Sequence, residues 1–374
     1  MRSMIPPSFN TVTIDLQALA ANYRLLRQEA GDAALLAMVK ADGYGHGMVE
    51  CAAALEEQGC TVFGVAELRE AVILRQAGIG SAIYAMIGFD DGDAELFCTY
   101  DITPVVYDRA ALQALSAAAV RRGRRIGVHL KVDTGMRRLG VEGDELQQLA
   151  AAVDALPHIY LAGIASHFPC ADDAGSASTD ECLARFVTIN ESFAHRPAVI
   201  RHIANSGGTL YFPRSRWDMV RCGISLYGYY PEGRKEVEDD GLRPVMSYST
   251  RVLQVKEVPA GCGISYGYSY TTTRPTTLAV LPVGYEDGYS RLLSNRGEVL
   301  IGGRRAKIRG RICMNLCMAD VTGIEGVAAG DEAVLLGSQG GEYITADEIA
   351  GRSDTISYEA LCMIGNNNQR RYRE

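Results

Sequence analysis

The sequence has no run of the roughly 18 apolar residues that a membrane-crossing helix needs. Met1 to Asn10 holds two prolines and no apolar stretch of the kind that leads a chain out of the cell. A basic excess is also missing, since 37 Lys and Arg stand against 45 Asp and Glu, a net charge of −8. Without a positive field the chain has little means of gripping a phosphate backbone, so nucleic acid and membrane are set aside as partners and the cytoplasm is the expected location. None of the ten cysteines sits in a Cys-x-x-Cys pair, which argues against a zinc ribbon or a dithiol redox motif. Cys313 and Cys317 lie four apart with no His beside them and read as packing residues, so no metal is expected. No repeat of about 20–50 residues is visible, which excludes solenoids and propellers.

What is present is an ordinary globular composition: 374 residues, 47% apolar and 22% charged, enough for one large or two medium domains. Asp15 is suited to cap a helix in which Leu16, Leu19, Tyr23 and Leu26 recur at helical spacing until Gly31. Eight short apolar runs follow, each bounded by helix-like stretches: Ala33 to Val39, Val62 to Val65, Ala82 to Ile87, Pro104 to Tyr107, Ile126 to Val132, Tyr160 to Ala165, Val199 to Ala204 and Met219 to Leu226. Eight strand-plus-helix units in about 230 residues predict a (β/α)8 TIM barrel over 12–241, whose chemistry collects at the carboxyl ends of the strands. Lys40, Lys131, Asp133, His167, Asn205, Ser206 and Arg221 to Ile224 fall at those ends.

Beyond Gly241 the pattern changes to strands without intervening helices: Arg251 to Val258, Thr277 to Val283, Glu298 to Ile301, Arg305 to Ile308 and Glu332 to Leu336. Gly302-Gly303 and Gly340-Gly341 read as tight turns, and Thr345 with Glu348 has the spacing of a capping box on one short helix. A second, C-terminal β-rich domain over 242–374, joined by residues 1–11, is the expectation.

Lys40 stands in VKADGYGHG, at the end of a buried strand and just before a glycine-rich turn. Two readings stand: a snorkelling or ion-paired lysine, or an amine made nucleophilic by desolvation that forms a Schiff base with an aldehyde. A Walker-type phosphate loop is excluded, because the lysine precedes the glycines. Taken singly, Ser206 is also readable as a loop residue, Arg221 as a salt-bridged arginine, and His167 and His202 as satisfied core histidines.

The order of blocks resolves more than any one of them. VKADGYGHG, KVDTGMRRLG, ASHFPCADD, HIANSGG, VRCGISLYG, ISYGYSY, LPVGYEDGYSRL, GRICMN and ISYEALC together resemble the bacterial alanine racemases over nearly the whole chain. That resemblance implies pyridoxal 5′-phosphate as cofactor, held as an internal aldimine on Lys40. Tyr44, Ser206, the N–H groups of Gly223 and Ile224, and Tyr358 are then expected at its phosphate, Arg221 at its pyridine nitrogen, and His167 and His202 around it. Arginine keeps its protons, so the ring nitrogen stays neutral and reprotonation at Cα is favoured over transamination.

Racemisation of the external aldimine needs a base on each face of Cα. Lys40 is expected to serve one enantiomer and Tyr266, as a phenolate stabilised by nearby cations, the other. By the same resemblance Tyr266 and Met314 come from the partner subunit of a homodimer with composite sites. Arg138 and the Met314 N–H bind the substrate carboxylate, and Lys131 matches a position that takes up carbon dioxide as a carbamate. Tyr266 and Tyr358 leave room for little more than a methyl group, which points to alanine, with serine or a broader set of small amino acids as the alternative. A non-catalytic pyridoxal carrier resembles only the barrel and needs no second base. A related amino-acid decarboxylase shares both domains, but its specificity motifs are not seen. Three departures bear on substrate access: Asn315 stands where the family pattern has an acid, Gly365 to Arg371 replaces the usual basic end pattern, and the segment after His167 reads FPCADD.

Overall fold

A computed structural model describes residues 6–233 and 241–374. The chain opens on strand β1 (Thr11–Asp15), and Asp15 then caps the helix Leu16–Ala30 by accepting the Ala18 N–H at 2.9 Å. This is the expected start signal, in which a side-chain oxygen satisfies one of the free N–H groups of the first turn.

Eight parallel strands follow: β2 (Ala34–Met38), β3 (Val62–Val65), β4 (Ala82–Ala85), β5 (Ile102–Val106), β6 (Ile126–Lys131), β7 (Ile159–Ala165), β8 (Ile200–His202) and β9 (Met219–Cys222). They pair in the order β8-β7-β6-β5-β4-β3-β2-β9. The Asp218 N–H donates to the Arg201 carbonyl at 3.1 Å and the Arg221 N–H to that of Ala204 at 2.9 Å, which draws β9 against β8 and closes the barrel. Helices between the strands bury one face each. In Arg109–Arg122, capped by Asp108 through the Ala111 N–H, Leu112 and Leu115 are fully buried, each such side chain contributing about 1.5–3 kcal/mol. The expected run Met219 to Leu226 is broken after Cys222: Gly223 turns the backbone, and Ile224–Tyr227 forms a 3-10 turn.

Alternation decides what faces the barrel interior. Side chains two apart on a strand share a face, so Gly127, His129 and Lys131 of β6 share one, and a register shift against β7 falls between Val128 and His129. Gly163 on β7 gives that histidine its room, because a Cβ there would lie 2.1 Å from the His129 ring.

The second unit is β-rich. Strands β10 (Met246–Arg251), β11 (Gln254–Val258), β12 (Gly263–Ile264), β13 (Tyr270–Thr271), β14 (Thr276–Leu281), β15 (Glu298–Ile301), β16 (Arg304–Ile308), β17 (Cys317–Asp320), β18 (Glu332–Gln339), β19 (Glu342–Ile344) and β20 (Arg370–Arg373) belong to it. The main sheet runs β11-β14-β17-β16-β15-β18-β10-β1-β20, with β19 on β18 and β12 paired with β13. The two expected glycine pairs make the two-residue turns of the β15–β16 and β18–β19 hairpins.

Four differences from the sequence reading have physical causes. β1 pairs antiparallel with β10 and parallel with β20, so the β-rich unit takes in the chain up to Ala18, and not only 1–11. Tyr44–Gly47 also belongs to it. The expected boundary at Gly241 adjoins 234–240, which lie outside the described residues, as do 1–5. The run Arg251 to Val258 divides at Val252-Leu253, because β10 pairs with β1 and β18 while β11 pairs with β14. Finally, the described residues of this unit carry two α-helices and not one: Ala346–Arg352, whose cap Thr345 accepts the Glu348 N–H at 3.0 Å, and Ser357–Asn366. The second buries Ser357, Ala360, Leu361, Ile364 and Gly365, a helical stripe.

All ten cysteines are free thiols. No helix among the described residues is long and apolar enough to cross a membrane.

Candidate active site

Lys40 follows β2 and opens a rare piece of backbone. Ala41 (φ 53°, ψ 48°), Asp42 (52°, 49°) and Gly43 (65°, 41°), with Tyr44 at φ 54°, form one turn of left-handed helix. Left-handed torsions cost a non-glycine residue about 1–2 kcal/mol, so three such residues persist only because their surroundings hold them. The Gly43 N–H donates to the Val39 carbonyl at 2.8 Å, and Asp42 Oδ1 accepts the Met48 N–H at 2.8 Å. Glu70 accepts the Ala41 N–H on one oxygen at 2.7 Å and the N–H groups of Ala66 and Glu67 on the other at 2.8 and 3.1 Å. The half-buried Lys40 side chain therefore leaves a backbone tied on both sides.

Arg221, 4% exposed on β9, is the centre of the polar interior. Its Nη2 donates to the carbonyls of Ser166 (2.7 Å) and Ile203 (3.2 Å) and to His167 Nδ1 (3.1 Å), while Nη1 donates to His202 Nδ1 (2.9 Å). A guanidinium cannot accept, so both histidines present a bare Nδ1 and carry their proton on Nε2. His202 Nε2 then donates to His129 Nδ1 at 2.9 Å, which places the proton of His129 on its own Nε2. Burial, reinforced by the Arg221 charge, holds His167 and His202 well below the ordinary imidazole range and His129 at about 3. Burial also brings Arg221 down to about 10, which leaves it charged at neutral pH.

Lys131, at the end of β6, is 8% exposed. Burial first, then the charges of Arg221 and Arg138, pushes its amine well below the usual lysine range, against a smaller opposing pull from Asp133. Arg138 is exposed, and its backbone N–H is received by Asp133 Oδ2 at 3.1 Å. The Lys40 charge falls on His167, so these groups share one electrostatic neighbourhood. Among the described residues no salt bridge reaches Lys131, Arg138 or Arg221. Ser206 opens the helix Ser206–Tyr211 behind its cap Asn205, and its Oγ accepts the Gly223 N–H at 2.9 Å. The N–H of Ile224, a residue 1% exposed, has no acceptor among the described residues, a rarity for a buried backbone donor.

Lys40, Lys131, Arg138, His167, His202, Ser206, Arg221, Gly223 and Ile224 thus gather at the carboxyl ends of the barrel strands. Tyr44 and Tyr358 meet in the β-rich unit, their ring centroids 6.1 Å apart. There the glycine-rich turn lies directly on the helix Ser357–Asn366, and a Cβ on Gly365 would sit 1.9 Å from the Gly45 carbonyl. Tyr266 and Met314 form a third set on that unit's surface, 70% and 55% exposed. Their loops are tied together by Ser265, whose Oγ donates to the Arg311 carbonyl at 2.6 Å. Sequence reasoning passed over His129 and Glu70. For His129 the signal was present in VHLK, where it shares the strand face of Lys131 two residues on.

The donor set is cationic and neutral: amine, guanidinium, hydroxyl and free N–H, with no paired carboxylate. Such a mouth fits a ligand that brings its own phosphate and carboxylate, and a strand-end lysine beside it is suited to bind a carbonyl. The fold and this donor set together define a barrel enzyme whose strand-end mouth is built for an anionic, carbonyl-bearing ligand.

Comparison with known proteins makes the assignment specific. Residues 14–231 match the family model for the alanine racemase N-terminal domain and 245–372 that for the C-terminal domain. The alanine racemase of Desulfosudis oleivorans is 44% identical, over 94% of this chain and 93% of its own. That of Syntrophobacter fumaroxidans is 42% identical, over 95% of each. The crystal structure of the alanine racemase from the D-cycloserine-producing Streptomyces lavendulae is 38% identical with a TM-score of 0.92, covering 99% of this chain and 98% of its own. A Bartonella henselae alanine racemase with covalently bound pyridoxal phosphate is 31% identical with a TM-score of 0.89, over 98% and 100%. The chain belongs to the alanine racemase family.

Proposed function

We infer that the chain interconverts L-alanine and D-alanine, the activity its family carries, with pyridoxal 5′-phosphate at the mouth of the barrel. The observation that carries the assignment of the site is the positive charge of Arg138 and Arg221, without an ion-pair partner among the described residues, with the buried Lys131 amine, beside the strand-end Lys40. Lys40 would hold the cofactor's carbonyl carbon. Tyr44, Ser206, the N–H groups of Gly223 and Ile224, and Tyr358 would hold its phosphate, Arg221 its ring nitrogen, and His167 the edge of its ring. When bound, the cofactor supplies an electron-withdrawing ring that loosens the proton on the substrate Cα.

The rest of the work falls to the chain's own side chains. Lys40 Nζ takes the Cα proton on one face and the Tyr266 hydroxyl returns one on the other, which inverts the centre. Arg221 remains charged at neutral pH and keeps its protons, so it would offer the ring nitrogen a hydrogen bond and not a proton. His202 and His167 fix the plane of that guanidinium. Arg138 and the Met314 N–H hold the substrate carboxylate, the guanidinium matching its geometry. The buried amine of Lys131, whose pKa burial pushes well down, is suited to attack carbon dioxide and lose a proton, and the carbamate would set a negative charge beside Arg138 and Arg221.

Two copies of the chain form the active unit. Tyr266, Tyr268, Met314 and Leu316 leave 70, 72, 55 and 40% of their surfaces exposed, more large apolar side chain than one surface region commonly shows. A second copy covers them, and Tyr266 and Met314 then complete the partner's barrel mouth.

The test is proton NMR of L-alanine and L-serine in heavy water with the cofactor-loaded enzyme, followed by chiral analysis. Loss of the alanine α-proton with accumulation of D-alanine is expected. Faster exchange of serine reverses the substrate assignment, and exchange of neither removes the catalytic one.

A further inference from the structure

The barrel has a second polar end. A cavity of about 270 Å³ opens among Ala82, Ile102, Ile126 and Ile200, the first residues of β4, β5, β6 and β8, and so lies at the amino-terminal mouth, opposite the candidate active site. Its polar lining is Tyr84, Asp101, Thr103, Arg124, Arg125, His129 and Tyr160.

His129 is the residue that demands an occupant. Its Nδ1 is committed as the acceptor from His202, so its Nε2 carries the proton, and that atom is buried with no hydrogen-bond partner. A buried donor left unmade costs about 1–3 kcal/mol, so an acceptor from the cavity is strongly favoured. The ring cannot turn away to find another: Gly163 lies against one side and the edge of Tyr84, centroids 5.0 Å apart, against another.

The charge around the cavity selects the acceptor. The exposed Arg125 lies 5.1 Å over the Tyr160 ring and makes no ion pair among the described residues. Arg124 reaches Asp101 only at 3.5 Å, and both are mostly exposed. The hydroxyls of Tyr84, Thr103 and Tyr160 can all donate. Two arginines against the single carboxylate of Asp101 leave the lining net positive, and the hydroxyls add donors.

We propose that this cavity binds a compact monovalent anion, which accepts the His129 Nε2–H and is balanced by Arg125. Its binding would hold the proton of His129 on Nε2, and so keep Nδ1 bare for His202 and His202 Nδ1 bare for Arg221. The class includes inorganic halides and small carboxylates.

Crystals of the cofactor-loaded enzyme grown in sodium bromide test this by anomalous diffraction. A bromide peak in contact with His129 Nε2 is expected, and Arg125→Gln, an exposed change outside the racemisation machinery, should weaken it roughly tenfold, as loss of a charged partner does. His129→Phe should abolish it; should that variant fail to fold, Arg125→Gln still decides the matter. Formate in excess displaces bromide if the site prefers carboxylates and leaves it if the site prefers halides, and either result keeps the site. Ordered water alone in the cavity of the wild-type crystals, or a peak undiminished in Arg125→Gln, overturns the proposal.

Discussion

Arg221 donates from Nη1 to His202 Nδ1 at 2.9 Å, and this one bond fixes the proton positions of two further rings. Because the donor cannot reverse, His202 must give its own proton to His129, and the buried chain has a single direction.

Removing the middle of that chain exposes its value. His202→Phe leaves Arg221 and His129 without their shared partner, and a hydrogen bond to a charged group contributes about 1.5–3 kcal/mol. The urea midpoint of unfolding should fall accordingly, and kcat/KM for alanine should drop by roughly tenfold to a hundredfold while KM alone moves little. Unaltered kinetics in a folded variant would mean that Arg221 is positioned by the Ser166 and Ile203 carbonyls alone.

The same histidines set a pH dependence. Their pKa values in the folded chain lie below the ordinary value of about 6.5, so the unfolded chain binds more protons as the solution is acidified. Stability conferred by keeping them neutral is full above about pH 6.5 and declines below it. For His129 the decline continues to about pH 3. Urea titrations from pH 7 to pH 4 should show a steeper fall for wild type than for His129→Gln, whose missing titration isolates this residue.

Gly163→Ala is expected to be poorly tolerated. The added carbon would lie 2.1 Å from the His129 ring and 2.7 Å from the Ile200 carbonyl, and the latter is backbone that cannot step aside. Overpacking of this kind costs about 1–3 kcal/mol. A lowered thermal midpoint together with a changed cofactor absorption band would report that the relay has shifted with the strand.

Tyr266→Phe should leave folding intact, since the side chain is 70% exposed. Inversion should slow by about 10²–10⁴-fold, the usual contribution of one positioned acid or base. Deuterium exchange without inversion should survive for the enantiomer that Lys40 serves, a signature that NMR separates from a general loss. Mixing Lys40→Ala with Tyr266→Phe subunits should restore about a quarter of wild-type activity, because half of the random dimers regain one intact composite site of two. No recovery in a verified mixed dimer would place both residues of each site on one chain.

Glu70→Ala tests the support of the lysine. Three backbone N–H groups, of Ala41, Ala66 and Glu67, lose their acceptor together. The expected result is weaker retention of the cofactor on dialysis, with Glu70→Gln intermediate because an amide oxygen can still receive one of them.

The barrel was legible because a buried parallel strand writes itself as a short apolar run, and β3 matches its predicted run from Val62 to Val65. β20 was not, since RRYR has no apolar alternation and its pairing with β1 is a long-range event. The apolar runs already put Lys40 and Arg221 at strand ends, but only the ordered motifs proposed roles for them, because periodicity cannot tell a reactive lysine from a snorkelling one. The tautomer chain through His129 was beyond sequence, because it depends on which nitrogen faces which across three strands. Gly163, whose absent side chain makes that arrangement possible, looks in sequence like any other glycine.

The left-handed turn after Lys40 has a consequence for chemical synthesis. Ala41 is an L-residue at φ 53° and ψ 48°, torsions that its mirror image adopts without strain. A semisynthetic chain with D-alanine at position 41 should therefore be more stable, by the roughly 1–2 kcal/mol that handedness imposes, and should hold the neighbouring lysine more rigidly. The chain that takes D-alanine as a substrate has, one residue from the strand-end Lys40, a seat shaped for the same enantiomer in its own backbone.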